Sequence, residues 1–96
     1  MDRVVVVARL KADARDRAAE LIAQGPPFDA GEIGLARHGV YLSEREVMFV
    51  FEGDDAERVV AAVVNDPVQS AGFGAWAPLL EETPRLAHEV FFWNRG

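Results

Sequence analysis

His38 and His88 are the only two side chains in this 96-residue sequence whose ordinary pKa lies near neutrality. Each falls in a stretch that reads as a β-strand, and the expected strand order puts them at opposite edges of one sheet. They should not meet within a subunit. In a closed homodimer the second strand of one copy approaches the fourth of the other, so His38 would neighbour the partner subunit's His88. The simpler reading, two separate surface or interface histidines, is preferred, and with no third ligand to name, no metal is expected. A second set of residues is polar and aromatic. The Tyr41 hydroxyl, the Trp76 indole N–H and the Asn65 amide could orient a flat ligand, with Phe49, Phe51 and Phe73 as stacking walls. The same rings could simply fill a core.

Two other clusters have structural explanations. Glu52, Asp54, Asp55 and Glu57 stand at a strand end and helix start, where a cap and the helix dipole favour acids, so they do not argue for calcium. Gly72-Phe73-Gly74 lies in a helical pattern after Pro67 and lacks the strand and spacing of a nucleotide loop. Each glycine costs a helix about 1 kcal/mol relative to alanine. Close approach of that helix to the sheet, or of a ligand to the helix, would account for them.

The elements that must position these residues begin with Arg3 to Leu10, an almost unbroken β-branched run. Val4, Val6, Ala8 and Leu10 point to one face and Val5 and Val7 to the other, so both faces need cover. Asp13 can cap a helix carrying Ala14, Ala18, Leu21 and Ile22, with an Asp13–Arg17 pair one turn apart, and Gly25-Pro26-Pro27 stops it. Ile33 to Leu42 and Glu46 to Glu52 read as two strands around a Ser43-Glu44-Arg45 turn. Asp54 or Asp55 caps a second helix with Val59, Val60, Val63 and Val64 as its stripe. Asp66-Pro67 begins a further helix through Ala71, Ala75, Trp76 and Leu79, and a last strand runs from Arg85 to Trp93.

The order β-α-β-β-α-β predicts an α+β, ferredoxin-like domain over residues 1–96, with a four-stranded antiparallel sheet ordered 4-1-3-2 and both helices on one face. The open face then carries Val5, Val7, Met48 and Val50, an apolar surface suited to a second copy of the chain. No cysteine is present, which excludes disulfides and thiolate metal sites. Neither a leader nor a membrane span is read, so cytoplasm is the expected compartment. A net charge of −6 without a basic patch argues against nucleic acid or anionic membrane as partner.

With its Val-Val-Val-Val-Ala-Arg-Leu-Lys opening, the break at Asn65-Asp66-Pro67 and the run Gly72-Phe73-Gly74-Ala75-Trp76, the sequence resembles the dimeric α+β barrel superfamily. That superfamily includes cofactor-free monooxygenases of the antibiotic-biosynthesis type, stress-responsive barrel proteins and small polyketide cyclases. The resemblance implies two sheets closing a barrel across a homodimer, with a cavity between sheet and helices for small, often aromatic, molecules. It also places Val63 and Gln69 beside that cavity. Cyclase-type members carry a His-Pro-x-His segment and a preceding tyrosine where this chain has Asp66, Gln69 and Val63, so their usual acid and base are absent. For a monooxygenase-like site that steadies a substrate carbanion or phenolate, Tyr41, Trp76 and Asn65 are the available set, and no flavin or haem is required. Three functions follow: binding of a small apolar or aromatic metabolite, cofactor-independent oxygenation or a related isomerisation or cyclisation, and a structural or interaction domain without ligand.

Overall fold

The computed structural model describes residues 2–26, 29, 31–65 and 74–95, with backbone only for 63–65. Along the chain run β1 (Asp2–Arg9), α1 (Arg15–Ala23), β2 (Arg37–Leu42), β3 (Glu46–Gly53), α2 (Ala56–Asn65) and β4 (Arg85–His88). The strands form one antiparallel sheet in the order β2-β3-β1-β4, which is the expected 4-1-3-2 read from the other edge. The run with the least polar character therefore occupies the interior of the sheet.

Register decides which side chains share a face, because successive residues of a strand alternate. Val4 pairs with Phe51, Val6 with Phe49 and Ala8 with Val47, and these point toward the helices. Beneath α1, Ala8 and Val47 pack with Ala18 and Leu21; beneath α2, Val4 and Phe51 pack with Ala56 and Val60. Phe49 touches both clusters and joins them into one layer between sheet and helices. On the other face Val5 pairs with Val50 and Val7 with Met48, an apolar patch that neither core cluster of the described residues includes. No helix among the described residues is long and apolar enough to cross a membrane.

Several expected boundaries move, each for a local reason. β2 begins at Arg37 and not at Ile33, because residues 31–34 form turns in which Gly34 has φ +87°. Ile33 and Leu35 still reach the core, but from a loop. That loop crosses directly over the end of β3: a Cβ on Gly53 would lie 3.0 Å from the Gly34 carbonyl oxygen and 3.2 Å from Leu35 Cα. Asp13 does not cap α1. The N-cap is Ala14 without a side-chain bond, while Asp13 itself takes a left-handed turn at φ 65°, and Arg17 pairs with Glu20 at 2.8 Å in place of Asp13. At the start of α2, Asp55 is likewise left-handed at φ 59°, and its carboxylate pairs with Arg58 at 3.3 Å.

The helix expected from Asp66 begins outside the described residues, but its last part, residues 74–79, is not α-helical. Leu79 N–H donates to Trp76 C=O at 2.9 Å and Leu80 N–H to Ala77 C=O at 3.3 Å, a 3₁₀ pattern over Ala77–Leu79. Pro78 has no N–H to contribute to an α-helical ladder. β4 ends at His88, short of Trp93. Val4 faces His88, so continued pairing would place Val90 opposite Asp2 and leave nothing on β1 for Phe91, Phe92 and Trp93. Those residues are exposed, at 82%, 53% and 70% respectively.

Candidate functional site

The helix-facing side of the sheet carries two ring pairs. Phe49 meets Trp76 edge-on, with centroids 5.2 Å apart and planes at 86°, and His38 stacks on Phe51 at 4.7 Å and 24°. Register explains the second pair: His38 lies opposite Phe51 and Val40 opposite Phe49, so β2 and β3 present His38, Val40, Phe49 and Phe51 to one face. Both geometries are those that the ring quadrupole favours.

Trp76 is held there by the chain that follows it. Lys11 N–H donates to Leu79 C=O and Glu81 N–H to Arg9 C=O, each at 2.8 Å, which lays residues 79–81 along the end of β1. Glu81 then forms an ion pair with Arg9 at 3.0 Å and accepts from Arg45 at 3.3 Å. Trp76, 8% exposed, belongs to the same core cluster as Ala8, Leu10 and Leu21, with Phe49 edge-on to its ring.

His38 is half-buried. Its Nδ1 lies 3.0 Å from the Val50 carbonyl oxygen, and since a carbonyl only accepts, Nδ1 carries the hydrogen in that bond. In the neutral ring the lone pair is therefore on Nε2. Burial pushes the imidazole pKa below its ordinary 6.5, partly offset by the bond to Val50. The outcome is an imidazole stacked on Phe51 whose Nδ1–H is held by Val50.

The other expected site residues separate. Tyr41 is opposite Met48 on the open face and 59% exposed, so it cannot line a cavity with Trp76; strand alternation puts the sheet between them. Its ring instead lies over Gly39, where an added Cβ would sit 3.6 Å from Tyr41 Cε2. Val63 and Asn65 belong to the last turns of α2, and Phe73 and Gln69 lie outside the described residues. Val5, Val7, Met48 and Val50 share the open face as expected, whereas His38 and His88 point to the helix side and do not belong with them. The two histidines end one cross-strand row, His38–Phe51–Val4–His88, at opposite edges of the sheet. His88 Nδ1 lies 3.1 Å from Glu57 of α2.

The open face also carries a charged row that the sequence did not suggest. Glu52 is almost fully buried between Arg3, whose Nε donates to Oε1, and Arg37, 3.7 Å from Oε2; Arg3 reaches on to Glu89 at 2.8 Å. Phe92 lies over the Arg3 guanidinium at 4.4 Å. Register places Arg37, Glu52 and Arg3 side by side, a juxtaposition legible only once the strand partners are fixed.

By sequence the chain matches no protein-family model and no curated protein. By structure it is similar to tetracenomycin F2 cyclase, a type-II polyketide cyclase from Streptomyces glaucescens (TM-score 0.73, 16% identity, all of both chains). It is also similar to L-rhamnose mutarotase from Formosa agariphila (TM-score 0.71, 13% identity, 98% of this chain and 100% of that one). A Nitrosomonas europaea protein inferred to be an antibiotic biosynthesis monooxygenase superposes at a TM-score of 0.69 with 14% identity, over 95% of this chain and 100% of the other. The ferredoxin-like arrangement of one four-stranded antiparallel sheet and its helices is thus a fold that these proteins share.

Proposed function

We propose that this chain binds a small apolar or aromatic molecule between sheet and helices, and that it does so as a homodimer closed over the open sheet faces. The observation that carries the site is the aromatic pairing on the helix-facing side, Phe49 with Trp76 and Phe51 with His38. Stacked and edge-on rings around a half-buried polar group are the lining that holds a flat ligand in one orientation. Conversion of that ligand by an isomerase, cyclase or cofactor-independent oxygenase fits the same lining, and proteins named as a mutarotase, a cyclase and a monooxygenase share the fold. Tyr41, on the far side of the sheet, has no part in it.

The dimer is supported by the apolar patch of Val5, Val7, Met48 and Val50 and by Val90–Trp93, a run of large apolar side chains left beyond the last pair of β1 and β4.

The chain has two tryptophans, Trp76 in the core and Trp93 in the exposed C-terminal run, so a titration with 2-naphthol can be followed at each indole N–H by two-dimensional NMR. Binding at the proposed site shifts Trp76 and leaves Trp93 in place. A shift of Trp93 alone, or of neither, overturns the assignment.

A further inference from the structure

We propose that charge fixes how the second copy docks: Glu46 and Glu52 of one subunit face the partner's Arg9 and the partner's Arg3 across the open sheet faces. This rests on the homodimer proposed above. Two facing sheets related by a two-fold axis can stack in two ways. With the axis along the strands, between β1 and β3, each β3 lies over the partner's β1 and each β2 over the partner's β4. With the axis across the strands, every strand lies over its own copy with the ends exchanged. The side chains of the open face distinguish the two.

Among the described residues, register gives that face four cross-strand rows. The first reads Arg37, Glu52, Arg3, Glu89 from β2 towards β4, with Glu89 placed by its 2.8 Å ion pair to Arg3. The second is Gly39, Val50, Val5, Ala87 and the third Tyr41, Met48, Val7, Arg85. In the fourth, Glu46 of β3 stands beside Arg9 of β1. At both ends of the central strand pair, therefore, β3 carries the acid and β1 the base.

An axis along the strands lays each row against its own reverse. Glu52 then faces the partner's Arg3, Glu46 the partner's Arg9 and Arg37 the partner's Glu89, each contact occurring twice. An axis across the strands, centred on the valines, sets Glu52 against the partner's Glu46 and Arg3 against the partner's Arg9. Like charges opposed across an interface reject that pose.

The uncharged rows agree with the first arrangement. Gly39 meets the partner's Ala87, Val50 the partner's Val5 and Met48 the partner's Val7, apolar against apolar throughout. Tyr41, 59% exposed, comes over the partner's Arg85. That guanidinium pairs with Glu82 at 3.2 Å through Nη2, and a ring on its flat face adds attraction without displacing the carboxylate. In the first row Glu52 is nearly buried and Phe92 lies over Arg3 at 4.4 Å, so the more open charges are Arg37, Glu46 and Arg9.

The test reverses charges in the fourth row and reads the dimer constant of the full chain by sedimentation equilibrium, with circular dichroism confirming the fold. Glu46→Arg should weaken the dimer on the order of 10-fold, because two pairs of opposite charges become pairs of like charge. Arg9→Glu should weaken it similarly. An equimolar mixture of the two variants should form a heterodimer about as tight as the wild-type dimer, since every facing pair is again opposite in sign. Under the axis across the strands, Glu46→Arg would meet the partner's Glu52 and tighten the dimer. That outcome, or an unchanged constant, overturns the docking and leaves the homodimer standing, whereas a wild-type monomer at micromolar concentration overturns both. A measurement on the unaltered chain uses its single tyrosine: in dimers of one isotope-labelled and one unlabelled copy, filtered NMR spectra should show the Tyr41 ring in contact with the partner's Arg85. Contact with the partner's Gly39 in its place, or no contact with the partner at all, overturns the proposal.

Discussion

Trp76 stands edge-on to Phe49, the two centroids 5.2 Å apart, and this contact ties the segment that follows the undescribed residues 66–73 to the middle of the sheet. Phe49 in turn belongs to both halves of the core, so the pair links α1, the 3₁₀ turn and the environment of His38. A ligand that separates these rings would act on all three at once.

Trp76→Ala should accordingly destabilise the protein by about 3–5 kcal/mol, the range for deleting a large buried aromatic side chain. Trp76→Phe should cost less, because an aromatic ring remains against Phe49. Urea unfolding of the two variants measures both, and near-equal losses would show that a phenyl ring at this position does not replace the indole's contact with Phe49.

Glu52 gives a second prediction. It is nearly buried, and its two arginines differ: Arg3 is hydrogen-bonded and half-covered, whereas Arg37 is 3.7 Å away with an exposed side chain. Solvent screening weakens the second pair far more than the first. Double-mutant cycles should find a clearly larger coupling for Arg3 with Glu52 than for Arg37 with Glu52, the latter below about 0.5 kcal/mol. Equal couplings would show that burial of Glu52, and not its geometry with Arg3, sets the strength.

The depressed pKa of His38 makes stability depend on pH in a defined direction. Below 6.5 the unfolded chain takes up a proton at this residue before the folded protein does, so acidification favours unfolding. The contribution of the neutral imidazole is fully present above 6.5 and is lost as the pH falls through the lowered folded value. In urea titrations between pH 7.5 and 5, His38→Gln should show a shallower loss of stability than the wild-type protein. Parallel curves would mean that His38 titrates alike in the folded and unfolded states.

Gly53 is required by space and not by backbone angle. The backbone of residues 34–36 crosses where its Cβ would be, and backbone atoms cannot rotate aside as a flexible side chain can. Gly53→Ala should destabilise by about 1–3 kcal/mol and also disturb Leu35, which packs on Val4 and Phe51. An alanine variant as stable as the wild-type protein would place the 34–36 loop farther from β3.

Much of this architecture is legible in the chain because it is periodic. The β-branched run from Val4 to Val7 marks a strand with two hidden faces, and the apolar spacing of Ala18 and Leu21 or of Val59 and Val60 marks helices that pack on one of them. The faces of β2 were harder. His38, Val40 and Leu42 alternate with Arg37, Gly39 and Tyr41, which is enough to group His38 with the apolar set and to put Tyr41 outside, but an expected start at Ile33 blurred the strand on which that count rests. Strand ends depend on the partner: nothing local in Arg85 to Trp93 says that pairing with β1 ends at His88. Likewise Asp13 has the chemistry of a cap, and only its left-handed φ shows that it serves as a turn residue before Ala14.

The open face offers the last prediction. Val5, Val7, Met48 and Val50 are all half-exposed in the isolated subunit, where a lysine in place of Met48 would reach water at little cost, within about 0.5 kcal/mol. Between two facing sheets the same ammonium would be desolvated without an opposite charge, a cost of several kcal/mol in any interface. The wild-type protein should therefore sediment as a dimer at micromolar concentration and Met48→Lys as a folded monomer. Circular dichroism of the variant would separate loss of assembly from loss of fold. A wild-type monomer at that concentration would leave the apolar face, and the run from Val90 to Trp93 beyond β4, to some partner other than a second copy of this chain.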